Sequence, residues 1–286
     1  MLLNGTDLLG VAHRNDFAVP AFNISDYAML NGVVRTCEEL RSPVILAIHP
    51  DELSHIGTDV LPSVLAKAHR ASVPITVHLD HGASVEQVLT AIQAGFTSVM
   101  IDGSLLPFEE NVALTRRVVE IAHAVGVSVE GELGTIGKTD DEAEDGTATI
   151  IYTEPADAVS FVERTGVDSL AIAIGTCHGI YPASMKPALR LDLLDEIRAA
   201  VDIPLVLHGG SNNPDDEIGR AARSGVNKIN ISSDIKVAYH DAMREVLTDR
   251  GLREPNSIQP RCIAAIQVVA AQKIELFGAA GRADLY

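Results

Sequence analysis

The chain has 286 residues, with 22 Lys and Arg against 39 Asp and Glu, a net charge of −17. A surface that acidic repels nucleic acid and anionic membrane, so neither is expected as a partner, though a locally positive pocket could still hold a small anion. Hydrophobic residues make up 47%, enough for a large core, which excludes a disordered chain. The longest apolar runs, such as Val44 to Ile48 and Leu170 to Ile174, fall far short of the roughly 20 residues of a membrane helix. Met1 to Gly10 has neither a basic start nor a long apolar stretch, so no signal peptide is expected. Three scattered cysteines, Cys37, Cys177 and Cys262, make no disulfide framework. The expectation is a reduced, cytoplasmic protein.

Along the chain, short apolar runs alternate with amphipathic stretches. Strands are predicted at 17–22, 43–48, 74–80, 98–101, 128–133, 169–174, 204–208 and 228–231. Most are apolar throughout rather than alternating, as strands buried on both faces are. Helices are predicted at 27–40, 60–71, 85–94, 109–124, 156–165, 191–200, 215–223 and 234–248. Ser84 with Gln87 reads as a capping box, Pro155 and Pro214 as first-turn prolines. Gly95, Gly126, Gly166 and Gly225 read as stops. Strict alternation of this kind over about 250 residues predicts an α/β fold, a (β/α)8 TIM barrel. It would fill 1–286 as one domain, with an extra C-terminal helix at 258–276. The other arrangement, an open doubly wound sheet, lacks a G-x-G-x-x-G after its first strand. Two loops, 134–153 and 177–190, are long enough to be lids or to touch substrate.

Polar residues gather at the predicted strand ends, which a barrel brings together on one face. His81 and His178 lie after the third and sixth strands, and His208 closes the seventh. Three imidazoles from separate strands suit a catalytic zinc, which keeps a fourth position open. Asp80, beside His81, could move a proton or orient a histidine. Asp102 and Glu132 could hold a second cation, orient histidines or cap strand ends. His78 shares a strand face with Asp80 and is expected to hydrogen-bond near the site. Cys177 is expected to be a buried, inert thiol. His13, His55, His69, His123 and His240 are expected at the surface. Gly209-Gly210-Ser211 and Asn230-Ile231-Ser232-Ser233 follow the last two strands, where barrels often bind phosphate.

Together, His78-Leu79-Asp80-His81, Met100-Ile101-Asp102-Gly103-Ser104, Glu130-Gly131-Glu132-Leu133-Gly134, the run from Gly166 to Gly179, and Pro204 to Ser211 resemble the class II, zinc-dependent ketose-bisphosphate aldolases. The tagatose-bisphosphate branch is the nearest match. The resemblance spans nearly the whole chain, from Ala18-Val19-Pro20-Ala21-Phe22-Asn23 to the C-terminal helix. It implies reversible cleavage of a ketose 1,6-bisphosphate into dihydroxyacetone phosphate and an aldehyde such as glyceraldehyde 3-phosphate. It further implies Zn2+ on His81, His178 and His208, with Asp80 as acid/base on the C4 hydroxyl. Gly179, Gly209, Gly210, Ser211, Asn230, Ile231, Ser232 and Ser233 would hold dihydroxyacetone phosphate, and Asn23 would be a substrate-side amide. Asp102 and Glu132 match positions that take a second divalent ion in some members. A monovalent cation, Na+ or K+, near the phosphate and a homodimer or homotetramer also follow from the resemblance.

The sequence departs from the family at three places. Asp140 stands where the family has the loop glutamate that protonates the enediolate carbon; Glu142 is the other candidate. His49 stands where the family usually has Gly, Ser or Thr, and either contacts substrate or faces solvent. Pro182 follows Tyr181 where the family often has Lys. Two other functions remain open at this level. One is a metal-dependent enediolate enzyme such as a sugar-phosphate epimerase; the other is a non-catalytic sugar-phosphate-binding barrel.

Overall fold

A computed structural model describes residues 1–138, 149–181 and 188–286. Eight parallel strands close into a barrel: β1 (Val19–Asn23), β2 (Val44–Ile48), β3 (Ile75–Gly82), β4 (Ser98–Ile101), β5 (Ser128–Leu133), β6 (Ser169–Ile172), β7 (Leu205–Leu207) and β8 (Val226–Ile231). Each pairs with the next in sequence. β8 returns to β1 with Val19 opposite Lys228 and Phe22 opposite Ile231. Parallel neighbours need a crossover, and helices supply it. The crossover helices are α2 (Tyr27–Glu39), α3 (Pro50–Ile56), α4 (Leu61–Arg70), α5 (Val85–Ala94), α6 (Phe108–His123), α7 (Pro155–Thr165), α8 (Leu191–Ala200) and α9 (Asp215–Arg223); α1 (Gly5–Arg14) precedes the barrel, and α10 (Ser233–Val246) and α11 (Pro255–Leu276) follow it. The strands are buried along their whole length. The barrel and its extra C-terminal helix are therefore as expected.

The differences from expectation have local causes. β3 runs on through His81 to Gly82, past the predicted end at Asp80. α11 starts at Pro255 rather than Ile258, because proline suits a first turn, where the N–H has no intrahelical partner. At α5, Ser84 accepts from Gln87 N, but the Gln87 side chain returns to Ala83 N, one residue before the cap. α1 and α3 were not predicted. α1 carries two glycines, which weaken the helical signal. Its place is secured by tertiary bonds: Gly5 N donates to Ser128 Oγ at 2.7 Å, and Leu8 is fully buried.

α1 covers the N-terminal end of the barrel. His55, His69, His123 and His240 are exposed as expected. His13 is a correction: it is half-buried, with Asn227 and Asp202 oxygens each 3.1 Å from its ring nitrogens. All three cysteines are free and buried. Among the described residues no helix is long and apolar enough to cross a membrane.

Asp168 ties three elements at this end. It accepts from Val129 N at 2.7 Å and from Thr6 Oγ1 at 2.9 Å, and His123 Nε2 lies 2.8 Å away. Asp168→Ala should lower stability by about 2 kcal/mol in urea unfolding. The residue lies at the opposite end from the site, so metal content should not change.

Candidate active site

Strand direction puts Asp80, His81, Asp102, Glu132, His208 and Asn230 at one end of the barrel. In β3, His78 and Asp80 fall on the same face by alternation. His81 should then point away, but its φ of +49° and a register shift between Leu79 and Gly82 break the alternation. Asp80 and His81 thus both reach the site. The His81 ring lies 4.5 Å from that of His208 and 5.2 Å from that of His178, centroid to centroid. His178 belongs to a short parallel pair outside the barrel, Cys177–His178 against Gly137–Lys138.

The hydrogen bonds decide which ring nitrogens face inward. His81 Nδ1 lies 3.0 Å from Asp102 Oδ2, and its buried Nε2 has no hydrogen-bond partner. His208 Nε2 lies 2.8 Å from Glu130 Oε1, and its buried Nδ1 has none. One nitrogen from each of His81, His178 and His208 fits within 4.8 Å of the others. The partnerless buried nitrogens of His81 and His208, converging with the His178 imidazole from a third chain segment, fit a divalent cation held by three histidines. A second cluster, His81, Asp102 and Glu132, meets the same distance limit.

Below the histidines lies a group that the sequence reading missed. Lys228 on β8 is fully buried, and its Nζ donates to both oxygens of Glu130 on β5, at 2.8 and 2.7 Å. His78 Nε2 lies 3.3 Å from the same Nζ, and His78 Nδ1 lies 2.8 Å from Ser98 Oγ. Burial and the Lys228 charge push the His78 imidazole down to about 3, so it stays neutral. Burial would raise the Glu130 carboxyl, but Lys228 and the His208 hydrogen bond overcome it and hold the group ionised. A signal for both was present. Glu130 lies two residues from Glu132 on one strand and must share its face; a lone lysine in a buried strand needs an acid.

Asp80 is fully buried and doubly bonded. Its Oδ1 accepts from Asn230 Nδ2 at 2.8 Å, its Oδ2 from Asn23 Nδ2 at 3.0 Å. Burial opposes its charge, but His81, His208 and Lys228 pull its carboxyl well below the usual range. Glu132 goes the other way: burial and the Asp102 charge push it well above the usual range. His49 does not face solvent. It is buried as the N-cap of α3, its side chain accepting from Asp51 N, and its ring lies 6.1 Å from that of His81. Glu52 of α3, also missed, accepts from His49 N, Asn23 Nδ2 and Ser25 Oγ and pairs with Lys236. Asp51 and Glu52 follow Pro50 as an acidic first turn, the local signal that α3 begins there.

The loops after β7 and β8 approach closely. Gly210 N donates to Asn230 O at 3.1 Å, and a Cβ at 210 would come within 2.7 Å of that oxygen, so glycine is required. Ser211 Oγ accepts from Asp234 N in the first turn of α10. Gly179 has φ +95°. Ile231 is wholly buried in the core, so its side chain offers a ligand nothing. Asp140 and Glu142 lie outside the described residues.

The sequence profile described as fructose-bisphosphate aldolase class II matches residues 3–282. The chain belongs to the class II fructose-bisphosphate aldolase family. It is 41% identical to the D-tagatose-1,6-bisphosphate aldolase subunit GatY of Klebsiella oxytoca, over 98% of this chain and 99% of that one. The crystal structure of the YdjI aldolase from Escherichia coli K12 superposes with a TM-score of 0.86 at 34% identity, covering 99% and 100% of the two chains. A crystal structure of a Coccidioides immitis protein gives a TM-score of 0.90 at 29% identity, covering 99% of each chain.

This class II aldolase is thus an aldehyde-lyase for a phosphorylated ketose, of the tagatose/fructose-bisphosphate type, and it needs a divalent cation. The buried Lys228–Glu130 pair underlies that cation's site. Lys228→Met leaves the buried Glu130 charge without its ammonium counter-ion and should cost about 3–5 kcal/mol of stability. The double change Lys228→Met with Glu130→Gln should regain most of that loss in thermal or urea unfolding.

Proposed function

We propose that the enzyme cleaves fructose or tagatose 1,6-bisphosphate into dihydroxyacetone phosphate and glyceraldehyde 3-phosphate, with Zn2+ on His81, His178 and His208. The observation that carries the metal assignment is the pair of buried nitrogens, His81 Nε2 and His208 Nδ1, that converge with His178 and have no hydrogen-bond partner. Bound there, zinc would supply Lewis acidity, polarising the ketone and stabilising the negative charge left when C3–C4 breaks.

The residues of the chain do the rest. Asp80, held ionised, takes the proton of the C4 hydroxyl as C4 becomes the aldehyde carbonyl and the bonding electrons move to C3. The two amides that bond Asp80 fix its oxygens, which is what a general base needs. An acid on the loop after β5, Asp140 or Glu142, then protonates C3. Gly179, Gly209 to Ser211 and Asn230 to Ser233 would hold the phosphate of the dihydroxyacetone half. The close approach of Gly210 to Asn230 supports that reading, because it sets the loop after β7 beside the start of α10, and a helix N-terminus favours an anion.

Asp102 favours an orienting role: its two oxygens meet His81 Nδ1 and Ser104 N. With Glu132 it could instead hold a second divalent ion. Asn23, bonded to Asp80, and His49, whose ring faces that of His81, are assigned to the rest of the sugar. The family resemblance supports a cytoplasmic homodimer or homotetramer and a monovalent cation near the phosphate.

The test is release of dihydroxyacetone phosphate from both ketose bisphosphates, with and without a chelator. Chelator-sensitive release from one of them is expected and identifies the C4 configuration accepted. His208→Ala should lose zinc and cleavage together. Asp80→Ala should keep zinc and lose about 10²–10⁴-fold of the turnover; turnover close to the parent enzyme would remove Asp80 from the mechanism.

A further inference from the structure

The added helix α11 is tied to the site through one amine. Lys273 is only 5% exposed. Its Nζ lies 2.9 Å from Asp234 Oδ2 and 3.9 Å from Asp215 Oδ1. The other oxygen of Asp234, Oδ1, accepts from the backbone N of Asn212 at 3.0 Å. Asp234 N itself donates to Ser211 Oγ at 3.3 Å.

Asn212 is the joint between two loops. Its φ of +56° is left-handed, a conformation that asparagine adopts more readily than other residues with a side chain. Its Oδ1 accepts from Tyr181 N at 3.0 Å. The Tyr181 hydroxyl accepts from Cys177 N at 2.6 Å, next to His178. Lys273 thus reaches, through Asp234, the loop that carries Gly209 to Ser211. Through Asn212 and Tyr181 it also reaches the loop that carries His178 and Gly179.

An ammonium taken out of water must be paired to be tolerated. Nearby positions of α11, Ala270 and Ile274, pack against the core as apolar residues, so packing alone does not call for a lysine here. What the lysine adds is a fixed orientation for the Asp234 carboxylate. We infer that Lys273 is a positioning residue for substrate phosphate: by holding Asp234 it sets the loop at 209–212 against the first turn of α10. This rests on the phosphate role proposed above for that loop. Lys273 does not touch the substrate, so its effect falls on binding and not on bond breaking.

The test uses the full-length, zinc-loaded enzyme with Lys273→Met, Lys273→Arg, Asp234→Asn and the Lys273→Met/Asp234→Asn double variant. The readouts are KM and kcat for the accepted ketose bisphosphate, competitive inhibition by inorganic phosphate, and zinc content. Lys273→Met and Asp234→Asn should each raise KM and the phosphate inhibition constant about tenfold. The double variant should be no worse than either single one, because both cut the same link. Zinc content and kcat should stay within about twofold of the parent, and Lys273→Arg should recover most of the binding. A folded Lys273→Met with unchanged phosphate inhibition overturns the inference, as do additive effects. If Lys273→Met does not fold, unchanged binding in Asp234→Asn overturns it instead. Ser211→Ala and Ser233→Ala run alongside. If neither alters phosphate inhibition, the phosphate lies elsewhere and that underlying role fails. If they do while Lys273→Met does not, only the relay is lost.

Discussion

The buried pair of Lys228 and Glu130, 2.7 Å apart between β8 and β5, is the constraint on which the site above it depends. Two apolar residues of similar volume could fill the space of the ion pair itself. They would leave His208 Nε2 with no acceptor, because that nitrogen is bonded to Glu130. The proton on Nε2 is what leaves Nδ1 with its lone pair turned toward His81 and His178. An ion pair in the barrel interior thus decides the tautomer, and with it the shape of the metal site. His78, pressed against the same ammonium, stays neutral and completes the layer with Ser98.

Above that layer, two carboxylates are driven to opposite protonation states within one site. Asp80 has two amide donors and nearby positive charge, and it stays ionised despite complete burial. Glu132 is buried beside Asp102 and is pushed toward its neutral form. Environments that separate two like groups in this way allow one to act as base while its neighbour adds no further negative charge. The net charge of −17 therefore says little about the site itself. Around Asp80, at least, the local field comes from Lys228 and the histidines.

Much of the site was legible because a parallel barrel makes position along the chain equivalent to position in space. Each strand delivers its last residues to the same face, so His81, Asp102, Glu132, His208 and Asn230 could be assembled from strand ends alone. The reading faltered where a contact was neither local nor periodic. Lys228 and Glu130 are 98 residues apart, and each by itself is one charged residue in an apolar strand. His49 was left undecided because only the folded chain shows α3 starting on it and its ring facing His81. α1 was overlooked because its stability comes from the barrel base rather than from its own sequence.

By itself the sequence determined the alternation of elements, the barrel, and the residue types available for the chemistry. These follow from local patterns: continuous apolar strands, helix caps, and polar residues just past each strand. Only the tertiary structure decided which nitrogen of each histidine is spoken for and that His81 turns inward against the strand alternation. It also decided which acid stays charged. Those outcomes depend on which groups meet after the barrel closes. A hydrogen bond or a Coulomb interaction is set by distance and burial, and the order of residues in a chain specifies neither until the fold brings them together.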